Sequence, residues 1–195
     1  MIIGMIIGIT GGTGCGKTTL LSCIAEKGGL VLDCDAIYHH LLQTDASLLA
    51  AIENRFPGVV ENGQLQRKKL GNVVFGDENA LHDLNKITHS AVLAEVQRQL
   101  DNAPALVAID AIALFESGLA TLCDTTVAVI APMEDRVRRL MARDSISEEY
   151  ARKRIAAQHS NEDFSAMCQH TLENNGDICE FHAKCLAFLN EFSIM

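Results

Sequence analysis

No stretch of this 195-residue chain reaches the about 18 to 20 consecutive apolar residues that a membrane-spanning helix needs. The apolar start, MIIGMIIGIT, has no basic residues ahead of it and runs directly into glycines. That fits a buried first strand and argues against a secretory leader. The internal duplication of MIIG makes Met5 a candidate alternative first residue. A basic surplus is also missing: 16 lysines and arginines stand against 25 acids, a formal charge of −9. Proteins that recognise nucleic acid through its phosphates usually present a strong basic face, so such a partner is not expected, whereas a small anionic ligand needs only a local basic pocket. No low-complexity tract occurs, and no DxxG sequence. Asn85-Lys86-Ile87-Thr88 approximates the guanine-reading NKxD, but threonine stands where the aspartate is required, which excludes a guanine-directed switch. An even cysteine count is lacking too. The seven cysteines are scattered through a chain large enough not to need staples, which reads as reduced thiols in a cytoplasmic protein. Cys179, His182 and Cys185 lie three apart, but among apolar neighbours they read as packing and not as metal ligands.

What is present is an alternation of short β-branched runs with helical patterns, the mark of a parallel sheet covered by helices. The expected strands are Met5 to Thr10, Leu30 to Leu32, Leu106 to Ile109, Thr125 to Ala131 and a weak fifth at Gln169 to Leu172. Lys17 to Lys27 is the first helix, stopped by Gly28 and Gly29. In open sheets of this kind ligands gather at the carboxyl ends of strands, and Asp33, Asp35 and Asp110 sit at such ends. The segment between the second and third strands is far longer than the dozen or so residues a crossover needs. It is helical by pattern, with a break at Phe56-Pro57-Gly58 and a turn at Glu61-Asn62-Gly63, and an insertion of that size is expected to hold substrate. A second helical insertion, Pro132 to Met167, carries Arg136, Arg138, Arg139, Arg143, Arg152, Lys153 and Arg154.

Gly11-Gly12-Thr13-Gly14-Cys15-Gly16-Lys17-Thr18 matches GxxxxGK[S/T] and lies between a strand and a helix, as a phosphate-cradling loop requires. Glycines let successive N–H groups turn toward phosphate oxygens, and the helix N-terminus adds positive dipole. Lys17 then reaches the β and γ phosphates and Thr18 offers its hydroxyl to Mg2+. Binding of a nucleoside triphosphate does not by itself imply transfer. A kinase also needs a carboxylate for the acceptor hydroxyl and cations for the migrating phosphoryl group. Asp35 can supply the first. Arg139 and Arg143, four apart on one helix face, can supply the second from a mobile lid. Helix capping is the competing reading of Asp33 and Asp35, and a solvated helix face that of the arginines.

The segments GITGGTGCGKTT, VLDCDAIYHHL, LQRKKLGNVVFGDENALHDLNKITHSAV, ALFESGL, RVRRLMARDSISEEYARKRIAAQ and LENNG, in this order over about Met5 to Gly176, resemble the dephospho-coenzyme A kinase family. The resemblance implies a three-layer α/β P-loop kinase fold with a five-stranded parallel sheet. The core takes in about 1–56, 104–131 and 168–195, a helical coenzyme A-binding insertion about 57–103, and a helical lid about 132–167. It implies ATP and Mg2+ as cofactors, dephospho-coenzyme A as the small-molecule partner, and phosphorylation of its ribose 3'-hydroxyl. By position it makes Asp35, Lys17, Arg139 and Arg143 catalytic. Gly12, Thr13, Gly14, Cys15, Gly16, Lys17, Thr18, Thr19, Asn175 and Gly176 bind ATP, and Thr10, Asp35, His89, Asp110, Leu114, Phe115 and Glu116 line the acceptor side. Asp33 or Asp110 would join Thr18 at magnesium through water. Two departures stand out: Ile112-Ala113-Leu114 replaces the family's usual proline and two leucines, and His170 replaces a usual acid. The alternatives are another small-molecule kinase of the same architecture and a nucleotide-binding regulator without transfer activity.

Overall fold

The computed structural model describes residues 4–192. The first copy of the MIIG repeat therefore lies, apart from Gly4, outside the described residues. Five strands form the main sheet: β1 (Met5–Thr10), β2 (Leu30–Asp33), β5 (Leu106–Asp110), β6 (Thr125–Ile130) and β7 (His170–Glu173). Their spatial order is β2-β5-β1-β6-β7. The pairs β1–β5, β1–β6 and β6–β7 are parallel, with Ile7 opposite Ala108 and Thr125, and Val127 opposite His170. The three central strands are apolar along almost their whole length because both faces are covered, as parallel sheets require. The fifth strand is shifted one residue from the expected Gln169 start.

One compact unit contains the described residues up to Leu32, Ala103–Phe115 and those from Leu119 onward. Its main core joins Ile7, Ile9, Val127 and Val129 of the sheet to Leu20, Cys23 and Ile24 of α1 (Lys17–Glu26) and to Phe181, Phe188 and Leu189 of α9 (Ile178–Glu191). Helix α9 starts on a reciprocal cap, with Asp177 accepting from Glu180 N–H while Glu180 reaches back to Asp177 N–H. Before β7 come α6 (Met133–Asp144), α7 (Glu148–Ala156) and α8 (Asn161–Met167). Val137 and Leu140 of α6 pack with Ala151 and Ile155 of α7 in a small core of their own.

The second unit, Asp33–Asn102 with Glu116–Gly118, is helical. Its spine is the 23-residue α5 (Glu78–Leu100), capped by Asp77, whose carboxylate accepts from Asn79 and Ala80 N–H. Against α5 pack α2 (Cys34–Thr44), α3 (Ala46–Arg55) and α4 (Arg67–Val74). The expected break at Phe56-Pro57-Gly58 is held by Glu53, which accepts from Gly58 N–H at 2.6 Å and Val60 N–H at 2.7 Å. Asn62 and Gly63, with φ of 51° and 73°, form the two-residue turn between the short strands β3 (Val60–Glu61) and β4 (Gln64–Leu65), the geometry for which Asn-Gly is the preferred pair. The helical unit begins at Asp33, where the sequence reading assigned residues up to about 56 to the core. The reason is packing: the apolar stripes of α2 and α3 are buried with α5.

Candidate active site

Three glycines of the 11–18 loop take positive φ: Gly11 at 137°, Gly14 at 79° and Gly16 at 97°. At Gly16 the requirement is double, since an added Cβ would also collide with Asn174 Nδ2. Gly16 precedes α1 directly and offers no side-chain cap, so the first N–H groups of that helix remain for a ligand. Lys17 Nζ donates to Gly11 O at 2.9 Å, which lays the ammonium back across the loop. Thr18 is exposed in the first turn of α1, and Thr19 N–H closes on Gly16 O at 3.1 Å. Cys15 contributes backbone only. Its side chain is buried, and desolvation raises its pKa against the lowering influence of Arg136 and Lys17.

Around this loop, beside Arg139, stand Arg136, Gln158 and Asn174, which the sequence does not single out as site residues. Arg136 is 3% exposed, and its Nε donates to Thr13 O at 3.0 Å. Gln158 Oε1 accepts from Thr13 N–H at 2.8 Å and more distantly from Arg136 Nη2 at 3.4 Å. Arg139 Nη1 donates to Gly14 O and its Nη2 to Asn174 Oδ1, both at 3.2 Å. Asn174 Nδ2 donates to Cys15 O at 2.9 Å. Arg139 therefore bonds the loop itself. Arg143 lies at the exposed end of α6, with Nε and Nη2 on the two oxygens of Asp144 at 2.7 and 3.0 Å. Arg143, then Arg154, hold the Asp144 carboxyl down to about 2, so the pair stays ionised at any working pH.

Asn175 Nδ2 donates to Glu173 Oε2 at 3.3 Å, and its Oδ1 accepts from Lys184 Nζ at 2.9 Å. With Ile130, Ala131, Pro132, Asn161 and Glu173 it lines a cavity of about 210 Å³ near the carboxyl ends of β6 and β7. Gly176 follows, half-buried. Thr10 is fully buried and its hydroxyl donates to Ile112 O at 3.1 Å, so the side chain ties β1 to the segment after β5 instead of facing a ligand. Leu114 is likewise fully buried, with Cδ2 against Gly8, while Phe115 is half-buried. Asp110 ends β5 with Oδ1 sealed from solvent. Thr18 and Asp110 are hard oxygen donors. A few oxygen ligands completed by phosphate and water suit Mg2+, and no cluster of three or more His, Cys, Asp or Glu residues placed for a metal occurs among the described residues.

In the helical unit, Asp33 and Asp35 part company. Asp33 is the N-cap of α2, its Oδ1 accepting from Ala36 N–H at 3.0 Å, whereas Asp35 lies exposed in the first turn. Asp33→Ala is accordingly expected to lower stability by about 1 kcal/mol, read from denaturant unfolding. His89 is half-buried on α5 and Glu116 is exposed. No helix among the described residues is long and apolar enough to cross a membrane.

Comparison with known proteins adds the following. The family model described as dephospho-CoA kinase (CoaE) matches residues 5–180. A dephospho-CoA kinase of Latilactobacillus sakei is 34% identical over 183 residues, covering 91% of each chain. A Thermus thermophilus protein of known crystal structure is 33% identical with a TM-score of 0.80, over 96% of this chain and 97% of that one. The solved dephospho-CoA kinase of Campylobacter jejuni is 25% identical with a TM-score of 0.66, over 96% of both chains.

Proposed function

This chain belongs to the dephospho-CoA kinase family, and from that membership we propose how its residues divide the family's reaction among them. The reaction, the final step of coenzyme A biosynthesis, moves the terminal phosphoryl group of ATP to the ribose 3'-hydroxyl of dephospho-coenzyme A and yields coenzyme A and ADP. The observation that carries the reading is the match over residues 5–180, which includes an intact GxxxxGK[S/T] loop with positive-φ glycines where the motif needs them.

The phosphates of ATP lie on the 11–18 loop, with Lys17 turning from Gly11 O toward the β and γ oxygens. The adenine enters the cavity beside Asn175 and Gly176. Magnesium would be held by the Thr18 hydroxyl and, through water, by Asp110, and would supply positive charge to the phosphate oxygens. Asp35 orients the 3'-hydroxyl and takes its proton as the new O–P bond forms and the bond to the ADP oxygen breaks. In a loose transition state positioning and charge carry most of the catalysis, so proton transfer comes late. Residues of the helical unit, His89 and Glu116 among them, hold the acceptor. Residues 132–167 act as a lid whose Arg139 and Arg143 neutralise the migrating group. For Arg143 this means leaving Asp144, which keeps Arg154 as a second partner. The setting is the cytoplasm, with no nucleic acid partner.

Mass spectrometry of the product from dephospho-coenzyme A, ATP and Mg2+ tests the reading: one phosphoryl group added to the acceptor with ADP released is the expected result. A nucleoside or sugar acid phosphorylated far faster would point to another kinase of this architecture, and tight ATP binding without product to a regulator. Arg143→Ala is expected to lower kcat, costing about 2 to 4 kcal/mol in the barrier. An unchanged rate would leave this arginine as no more than the surface partner of Asp144.

A further inference from the structure

Three consecutive carbonyls of the phosphate loop are bonded by side chains from outside it. Thr13 O accepts from Arg136, Gly14 O from Arg139 and Cys15 O from Asn174. In a trans peptide the C=O and the following N–H point in opposite directions. Fixing these carbonyls therefore fixes the N–H groups of Gly14, Cys15 and Gly16, of which Cys15 N–H meanwhile closes a long 3.3 Å bond to Gly12 O.

Asn174 is the node of the set. It is 6% exposed, follows β7 directly and is anchored there by its own N–H, which donates to Ile130 O at 2.8 Å. Its amide both donates to Cys15 O and accepts from Arg139 Nη2, so one planar group fixes the loop and the arginine in a single register. Such a double use needs a donor and an acceptor on one short side chain, which asparagine has and aspartate and leucine do not. The Gly16 hydrogen faces the same amide, and any larger side chain there would strike it. Arg136 and Asn161 extend the support, with Arg136 Nη1 donating to Asn161 Oδ1 at 3.4 Å and Asn161 Nδ2 to Ala131 O at 2.9 Å.

We propose that Asn174 is a positioning residue for ATP: it holds the Cys15 carbonyl and the Arg139 guanidinium so that the phosphate loop is already formed when the nucleotide arrives. This rests on the reading of the 11–18 loop as the ATP phosphate site. A preformed loop does not have to order its backbone on binding, a cost that would otherwise be subtracted from affinity. Losing Asn174 therefore weakens ATP selectively and leaves the acceptor untouched.

The test uses two variants of the full chain. Asn174→Asp keeps the volume and an acceptor for Arg139 but replaces the donor to Cys15 O with another acceptor, and Asn174→Ala removes both bonds. ATP and dephospho-coenzyme A affinities are measured by calorimetry, with melting temperature recorded alongside. The expected result is ATP affinity about tenfold weaker or more in both, with dephospho-coenzyme A affinity within about twofold of the parent. ATP affinity within twofold of the parent, or equal weakening of both substrates, overturns the proposal. A parent that binds no ATP overturns the reading of the loop as well, which separates the two failures. If neither variant folds, backbone 15N order parameters of the ATP-free parent decide. Values near about 0.85 over Thr13 to Gly16 support a preformed loop, and values below about 0.6 overturn it.

Discussion

Lys17→Ala is expected to lower kcat by about 10²- to 10³-fold and to weaken ATP binding in the same variant. The lysine acts in both states because phosphate carries charge before as well as during transfer. Its ammonium lies on Gly11 O at 2.9 Å, part-buried beside the loop where the motif seats phosphate. Truncating a side chain that lies against its own loop costs the fold little; the effect falls on ligand charge. Calorimetric ATP titration together with an ADP-release assay checks it. An affinity equal to that of the parent would remove Lys17 from the ground-state complex and leave it acting on the transition state alone.

Asp35→Asn is expected to reduce turnover by about 10²- to 10⁴-fold, the range for a positioned general base, while ATP affinity stays roughly that of the parent. The amide keeps the shape and still accepts a hydrogen bond from the 3'-hydroxyl, but it cannot take the proton. The aspartate is exposed in the first turn of α2, where an acid contributes only about 0.3 to 1 kcal/mol through the helix dipole. A rate loss of several orders of magnitude would therefore not come from instability. Weaker ATP binding, equal to that of Lys17→Ala, would move Asp35 from the acceptor to the nucleotide. Of the two acids it is Asp33, two residues earlier, that caps α2, its carboxylate accepting from Ala36 N–H.

The phosphate loop is legible in the sequence because its constraints are local. Positive φ at Gly14 and Gly16, a lysine one residue on and a helix immediately after are properties of adjacent residues, and local backbone chemistry has few solutions there. The Asn-Gly turn at 62–63 is legible for the same reason. The division into units is not. Helices α2 and α3 show no break in composition from the strand ahead of them, and an apolar stripe on a helix can be buried by a sheet or by another helix equally well. Burial against α5 is a tertiary fact.

Arginines and asparagines divide along the same line. From spacing, Arg139 and Arg143 share a helix face, yet one bonds Gly14 O and Asn174 while the other, a turn further on, pairs with Asp144. Likewise, two consecutive asparagines follow β7, and the alternation of an extended chain sends Asn174 into the interior toward Cys15 O and Asn175 outward to Glu173 and Lys184. The alternation of β7 leads into this, with His170 and Leu172 half-buried and Thr171 and Glu173 exposed, so Asn174 continues the inward side. By itself the sequence determined the phosphate loop, the alternating parallel-sheet class and the family, because each rests on the order of neighbouring residues. Only the tertiary structure decided which side chains hold that loop in shape, because Arg136, Arg139 and Asn174 lie more than a hundred residues from the carbonyls they bond and meet them only through the sheet's parallel order.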